Sequence, residues 1–138
     1  MSPDQIGHIR STWALMLASR DDVAEAFYNR LFEIDPAVKP LFANSDMRAQ
    51  GDKLVQTLAV VVKGVDDLPR LIPALQALGR RHVGYGVTDA HYASVGAALI
   101  WTFNSVLGEN FPAAAQESWT TAFGLLSQVM IEATRQAA

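Results

Sequence analysis

Apolar positions spaced three and four apart recur along this chain and predict helices with little room for strands. Ile6, Ile9, Trp13 and Met16/Leu17 mark the buried face of a first helix ending near Ser19. Ser2-Pro3-Asp4-Gln5 supplies its start, with a serine cap, a proline in the first turn and Gln5 as capping-box partner. Asp21-Asp22 starts a second helix carrying Val23, Phe27, Tyr28, Leu31 and Phe32. Asp35-Pro36 opens a short turn that ends at Leu41-Phe42, and Asp46 caps the next helix. That helix runs to about Val65, with Gln50, Leu54, Leu58, Val61, Val62 and Val65 on one face. The triplet Val60-Val61-Val62 alone suggests a strand, but the helical period around it outweighs that. Pro69 and Pro73 predict a loose turn over Leu68–Ile72, then a helix from Pro73 to about His82. Thr88 caps a helix carrying Tyr92, Val95, Leu99, Phe103 and Val106, which stops at Gly108. Pro112 starts the last helix, through Trp119, Phe123, Leu126 and Met130. The sum is an all-α chain of about seven helices of unequal length. An up-down four-helix bundle would want fewer, matched helices.

The stretch that organises the pattern is Leu68–Val87. Leu68, Leu71, Leu75 and Leu78 step by three, four and three, and four more lands on His82. His82 therefore projects from the same stripe as the leucines, before Gly84 and Gly86 end the helix. A histidine there is either a hydrogen-bonded core residue or a ligand, and this stretch alone leaves both open.

Composition narrows the chemistry. The 138 residues fit one domain, 1–138, with one core; half are hydrophobic and 18% charged, a folded rather than disordered balance. With no cysteine, disulfides, thiolate metal sites and iron–sulfur clusters are excluded. A net charge of −3 without a basic block argues against nucleic acid as a partner. No apolar run reaches the roughly 20 residues that span a bilayer. The first residues do not read as a signal peptide. The expectation is a cytoplasmic protein with no membrane partner.

Three polar side chains lie on or beside apolar faces of three different helices: Tyr28, Gln50 and His82. Each has an ordinary structural explanation, as an amphipathic core tyrosine, a residue near a helix start and a last-turn histidine. His91 falls in the first turn of its helix, and His8 sits among polar positions and is expected to be solvated. No HExxH motif or i, i+4 histidine pair supports a zinc hydrolase, and no phosphate-binding glycine loop occurs. Arg80 and Arg81 suit a helix C-terminus.

Taken in order, Tyr28, Pro36, Phe42, Gln50, Leu54 and His82 resemble the globin pattern at several spacings at once. The segments FYNRLFEIDPAVKPLF and LGRRHVGYGVTDAHYASVGAALI are similar to single-domain bacterial haemoglobins and to the globin domains of flavohaemoglobins. Neuroglobins are more distant. The resemblance implies a globin fold around a non-covalent haem b, with His82 as the proximal iron ligand. Tyr28 and Gln50 fit the distal positions, and Phe42 the phenylalanine that packs on the haem face. Leu41, Leu54, Leu58, Leu78, Val87, Tyr92, Val95 and Leu126 are candidates for the pocket wall, and Lys53 and Arg81 for pairing with the haem propionates. Two distal donors imply tight oxygen binding. Gln50 is a poor iron ligand, which implies a penta-coordinate ferrous state and sets the chain apart from neuroglobins, where a histidine stands.

One departure from the family concerns the group behind His82. Flavohaemoglobins orient the proximal histidine with a tyrosine and a glutamate. Tyr92 matches the tyrosine, but Thr134 aligns with the glutamate, and Glu132 points about 200° around the helix from it. That weakens the case for peroxidase-like chemistry or dedicated nitric oxide dioxygenation. The leading expectation is reversible binding of oxygen, carbon monoxide and nitric oxide. The second is a nitric oxide dioxygenase working with a separate reductase, since no flavin or nicotinamide domain is read in the chain. The third is a haem-free helical interaction module.

Overall fold

The computed structural model describes residues 2–84 and 88–136, with the side chains of 83, 84, 89 and 134–136 left aside. Among the described residues there are six α-helices, two short 3-10 helices and no strand. The α-helices are α1 (Pro3–Leu17), α2 (Arg20–Ile34), α3 (Met47–Gly64), α4 (Leu68–Gly84), α5 (Asp89–Leu107) and α6 (Ala113–Gln136). The 3-10 helices are Pro36–Phe42, between α2 and α3, and Gly108–Asn110, after α5. None of the described helices is long and apolar enough to cross a membrane.

Local chemistry accounts for most of the boundaries. Ser2 Oγ accepts from the Gln5 N–H at 3.2 Å while Gln5 Oε1 accepts from the Ser2 N–H at 3.0 Å, closing the expected capping box. Asp46 Oδ1 accepts from the Arg48 and Ala49 N–H groups and starts α3. Thr88 caps α5, and His91 serves as its box partner, its Nδ1 accepting from the Thr88 N–H at 3.0 Å. Gly108 ends α5 with φ of +53°, the left-handed region where a side chain is strained.

Two boundary expectations and one of burial need correction. Asp21 and Asp22 do not cap α2; Ser19 is the cap residue, without a side-chain bond, and the two carboxylates lie in the first turn near the positive end of the helix dipole. Leu68–Ile72 is not a loose turn but the opening of α4. Pro69 sits in the first turn, where its missing N–H has no intrahelical acceptor to lose, so only Pro73 removes a bond. Burial of Leu71 and Leu75 on the same helix offsets that single loss. His8 is half-buried rather than solvated.

The helices pack most extensively as α4 on α6, α2 on α5 and α1 on α6. The centre is aromatic. Trp119 is wholly buried, with the rings of Phe103, Phe123 and Trp13 at centroid distances of 4.9, 5.4 and 6.4 Å. Its indole N–H donates to Thr12 Oγ1 at 2.8 Å, and that hydroxyl donates in turn to the His8 carbonyl at 2.7 Å. Thr12→Val keeps the shape but orphans a buried donor. It should destabilise the fold by about 1–3 kcal/mol, read as a lower urea midpoint at unchanged m-value. A neutral result would mean that the α1–α6 seam does not depend on this bond.

Candidate functional site

Tyr28 lies two turns along α2, and its ring is buried among Phe27, Phe32 and Phe42 at centroid distances of 4.8, 6.2 and 5.5 Å. Phe32 and Phe42 are themselves 5.6 Å apart. The short 3-10 helix is what delivers Phe42. Its tight pitch turns Phe42 inward against Tyr28, and Leu41, about a third of a turn away, is left 36% exposed.

The Tyr28 hydroxyl reaches α3 and donates to the Gln50 main-chain carbonyl at 3.5 Å, a long and weak bond. Burial pushes the Tyr28 phenol above its ordinary pKa, and a hydrogen bond with the Gln50 side chain partly opposes this. The hydroxyl consequently keeps its proton at neutral pH and remains a donor. Asp46, by capping α3, sets the register that puts half-buried Gln50 one turn into the helix, with Leu54 half-buried one turn later. Phe42, Gln50 and Tyr28 are thus brought together from three elements.

His82 lies in the last turns of α4. Its Nδ1 is 2.8 Å from the Leu78 carbonyl oxygen. A carbonyl only accepts, so Nδ1 carries the proton and the ring's lone pair is on Nε2. Tyr92, from α5, stacks against the imidazole at 6.2 Å and 25°. Burial pushes the His82 pKa below its ordinary value. The Leu78 bond opposes that shift, and the neighbouring Arg81 charge adds to it. A neutral imidazole with fixed tautomer is the form that ligates metals.

Leu54, Leu78, Tyr92 and Val95 are half-buried against the common core, and Leu58 and Leu126 are buried in it. Lys53 and Arg81 are exposed, on α3 and α4 respectively. Val87 lies outside the described residues, as does the side chain of Thr134. Glu132 is exposed on α6, where its Oε1 accepts from the Gln128 amide at 3.2 Å. Its carboxylate is engaged away from the core. Among the described residues no group of three or more His, Asp or Glu is placed to hold a metal. An apolar groove of about 540 Å³ between α5 and α6 includes Tyr92 but none of Tyr28, Gln50 and His82.

Sequence reasoning missed Phe32. By its spacing it reads only as part of the buried face of its helix, yet it backs both Tyr28 and Phe42. The signal available was its place one turn after Tyr28 on the same helix.

Comparison with known proteins supplies the family. Residues 25–130 match the family model described as Globin. The chain is similar to a flavohemoprotein of Xylella fastidiosa, 30% identical over 131 residues, covering 94% of this chain and 33% of that protein. A Vibrio cholerae flavohemoprotein is 27% identical over 134 residues, covering 96% of this chain and 34% of that one. The chain thus spans about a third of the length of these curated relatives. In three dimensions it resembles a bacterial globin from Campylobacter jejuni, with a TM-score of 0.87 at 24% identity, covering 99% of this chain and 98% of that one. The expected all-α globin fold is therefore the one this sequence adopts, and the chain belongs to the globin family of haem-binding proteins.

Proposed function

We propose that this globin reversibly binds oxygen and other diatomic gases at a haem b held on His82, with Tyr28 and Gln50 as distal hydrogen-bond donors. The observation that carries this reading is the state of His82. Its ring is neutral, its tautomer is set by the Leu78 carbonyl, and Tyr92 stacks against its face. That donor chemistry fits a haem iron, which takes an axial imidazole nitrogen. When bound, the haem supplies ferrous iron with an open coordination position.

With haem bound, the protein's own side chains would hold it as follows. Leu78 and Tyr92 hold the imidazole plane, which would present Nε2 to the iron. Phe42, braced by Tyr28 and Phe32, would pack on the macrocycle. Leu54, Leu78, Tyr92 and Val95 would contribute apolar wall. Lys53 and Arg81, both exposed, would be available to pair with the propionates. Tyr28 donates a proton into the distal space, and the weak 3.5 Å bond to Gln50 is readily exchanged for a better acceptor. The Gln50 amide adds a second donor.

The group behind the histidine separates gas binding from dioxygenation. A carboxylate there would raise the basicity of the imidazole, whereas a main-chain carbonyl does so weakly. His82 has the carbonyl of Leu78, and Glu132 is occupied with Gln128. This favours an oxygen-binding protein over a dedicated nitric oxide dioxygenase served by a separate reductase. Absorption spectra of the ferric, ferrous and carbon monoxide forms test the reading. The expected result is a strong Soret band in each and a penta-coordinate ferrous form. A protein purified from haem-replete cells without a Soret band would refute it.

A further inference from the structure

We propose that Gly79 is a positioning residue that sets how far His82 reaches toward the iron. The inference rests on the reading of His82 as axial ligand. Gly79 is buried in α4, three residues before His82. A Cβ added there would stand 2.6 Å from the Met130 carbonyl oxygen, 2.9 Å from its Cα and 3.1 Å from its carbonyl carbon. These are main-chain atoms in the middle of α6. Backbone lies directly on backbone at this crossing, and neither side has a flexible side chain that could yield.

The other close glycines differ in kind. A Cβ at Gly64 would meet only the Leu71 side chain, and one at Gly51 the Ala24 methyl. Gly124, also on α6, faces open space. The Gly79 crossing is thus the point at which α4 is seated against α6 without adjustable atoms, within the most extensive helix pair of the fold. A hydrogen-bonded helical turn links it rigidly to His82.

The direction of the effect follows from helix geometry. Ordinary contact begins near 3.4 Å, so a methyl at Gly79 must open the crossing by about 0.8 Å. Residues three apart lie about 60° apart around a helix. A retreat of α4 along the Gly79 direction therefore draws the His82 side chain back by roughly half that distance. A bond from His82 to a bound haem iron would be weakened, while Tyr28 and Gln50 are carried on other helices, α2 and α3.

The test is resonance Raman spectroscopy of the ferrous holoprotein, with the iron–histidine stretching band as readout. Gly79→Ala should shift the band to lower frequency, and Gly124→Ala should leave it where it is. The same pair is then read in a His82→Gly background supplied with free imidazole, where the ligand is no longer tethered to α4. There Gly79→Ala should have no effect. An unmoved band in Gly79→Ala overturns the proposal, as does a shift that persists with untethered imidazole. If Gly79→Ala yields no folded protein, Ala133→Val replaces it; Ala133 is buried on α6 one turn after Met130 and continues the stripe of Leu126 and Met130, so added bulk there should press α6 away from its neighbours near the crossing. A downward shift there supports the positioning role, and no shift overturns it. A wild-type protein lacking the band would instead refute the assignment of His82 itself, a distinguishable failure.

Discussion

His82→Gly is expected to lose haem under conditions where the wild type retains it, and added imidazole should restore the ferrous spectrum. Removing an outer partner of a metal ligand typically lowers affinity about 10- to 100-fold. Removing the proposed ligand itself should cost more than that, because the direct bond from imidazole to iron would be lost. The neutral state of the ring makes the prediction specific. Burial already disfavours the imidazolium, and the Leu78 carbonyl holds the Nδ1 proton, so no deprotonation step is needed before Nε2 meets a metal. The measurement is haem transfer to an apo-globin scavenger, followed by absorbance. Retention equal to wild type without imidazole would exclude His82 as the axial ligand and direct attention to His91, whose Nδ1 is engaged in the α5 cap.

The second large effect is on oxygen release. Oxygen polarised by ferrous iron accepts hydrogen bonds, and each such bond in a dry pocket contributes about 1–2 kcal/mol. At about 1.4 kcal/mol per decade, Tyr28→Phe should accelerate oxygen dissociation roughly 10-fold. Tyr28→Phe combined with Gln50→Leu should accelerate it by about 10²-fold, because the two donors come from different helices and each is lost separately. Carbon monoxide carries little negative charge, so its dissociation should change far less. That contrast separates lost hydrogen bonds from a general loosening of the pocket. Tyr28→Phe preserves the aromatic cluster with Phe27, Phe32 and Phe42, so its folding cost should be small. An unchanged oxygen off-rate would remove Tyr28 from the distal role.

Both predictions rest on residues readable from the chain, but for different reasons. His82 was legible because the leucine stripe of α4 leads directly to it with the period of a helix. The helix then proved longer than expected, since burial of Leu71 and Leu75 tolerates Pro73 where local propensity argues for a break. Tyr28, Phe42 and Gln50 were legible only as a set, through their spacing. Nothing local to any one of them distinguishes it from an ordinary core or cap residue. Leu41 shows the limit of such reading. It neighbours Phe42 and is as apolar, yet the pitch of a 3-10 turn decides which of the two packs against Tyr28.

The sequence by itself determined the helical architecture, the caps at Ser2, Asp46 and Thr88, the stop at Gly108 and the identity of the chemically distinctive side chains. These depend on short-range rules, namely the period of a helix and the needs of its orphan N–H and C=O groups. What only the tertiary structure decided depends on atoms far apart in the chain. The Tyr28 hydroxyl meets Gln50, and the Trp119 indole meets Thr12 across 107 positions. Another such approach, Gly79 on the Met130 backbone, leaves no trace in hydrophobic period or charge. A glycine in a helix reads locally as a weak point, and only the neighbour that it admits shows why it is there.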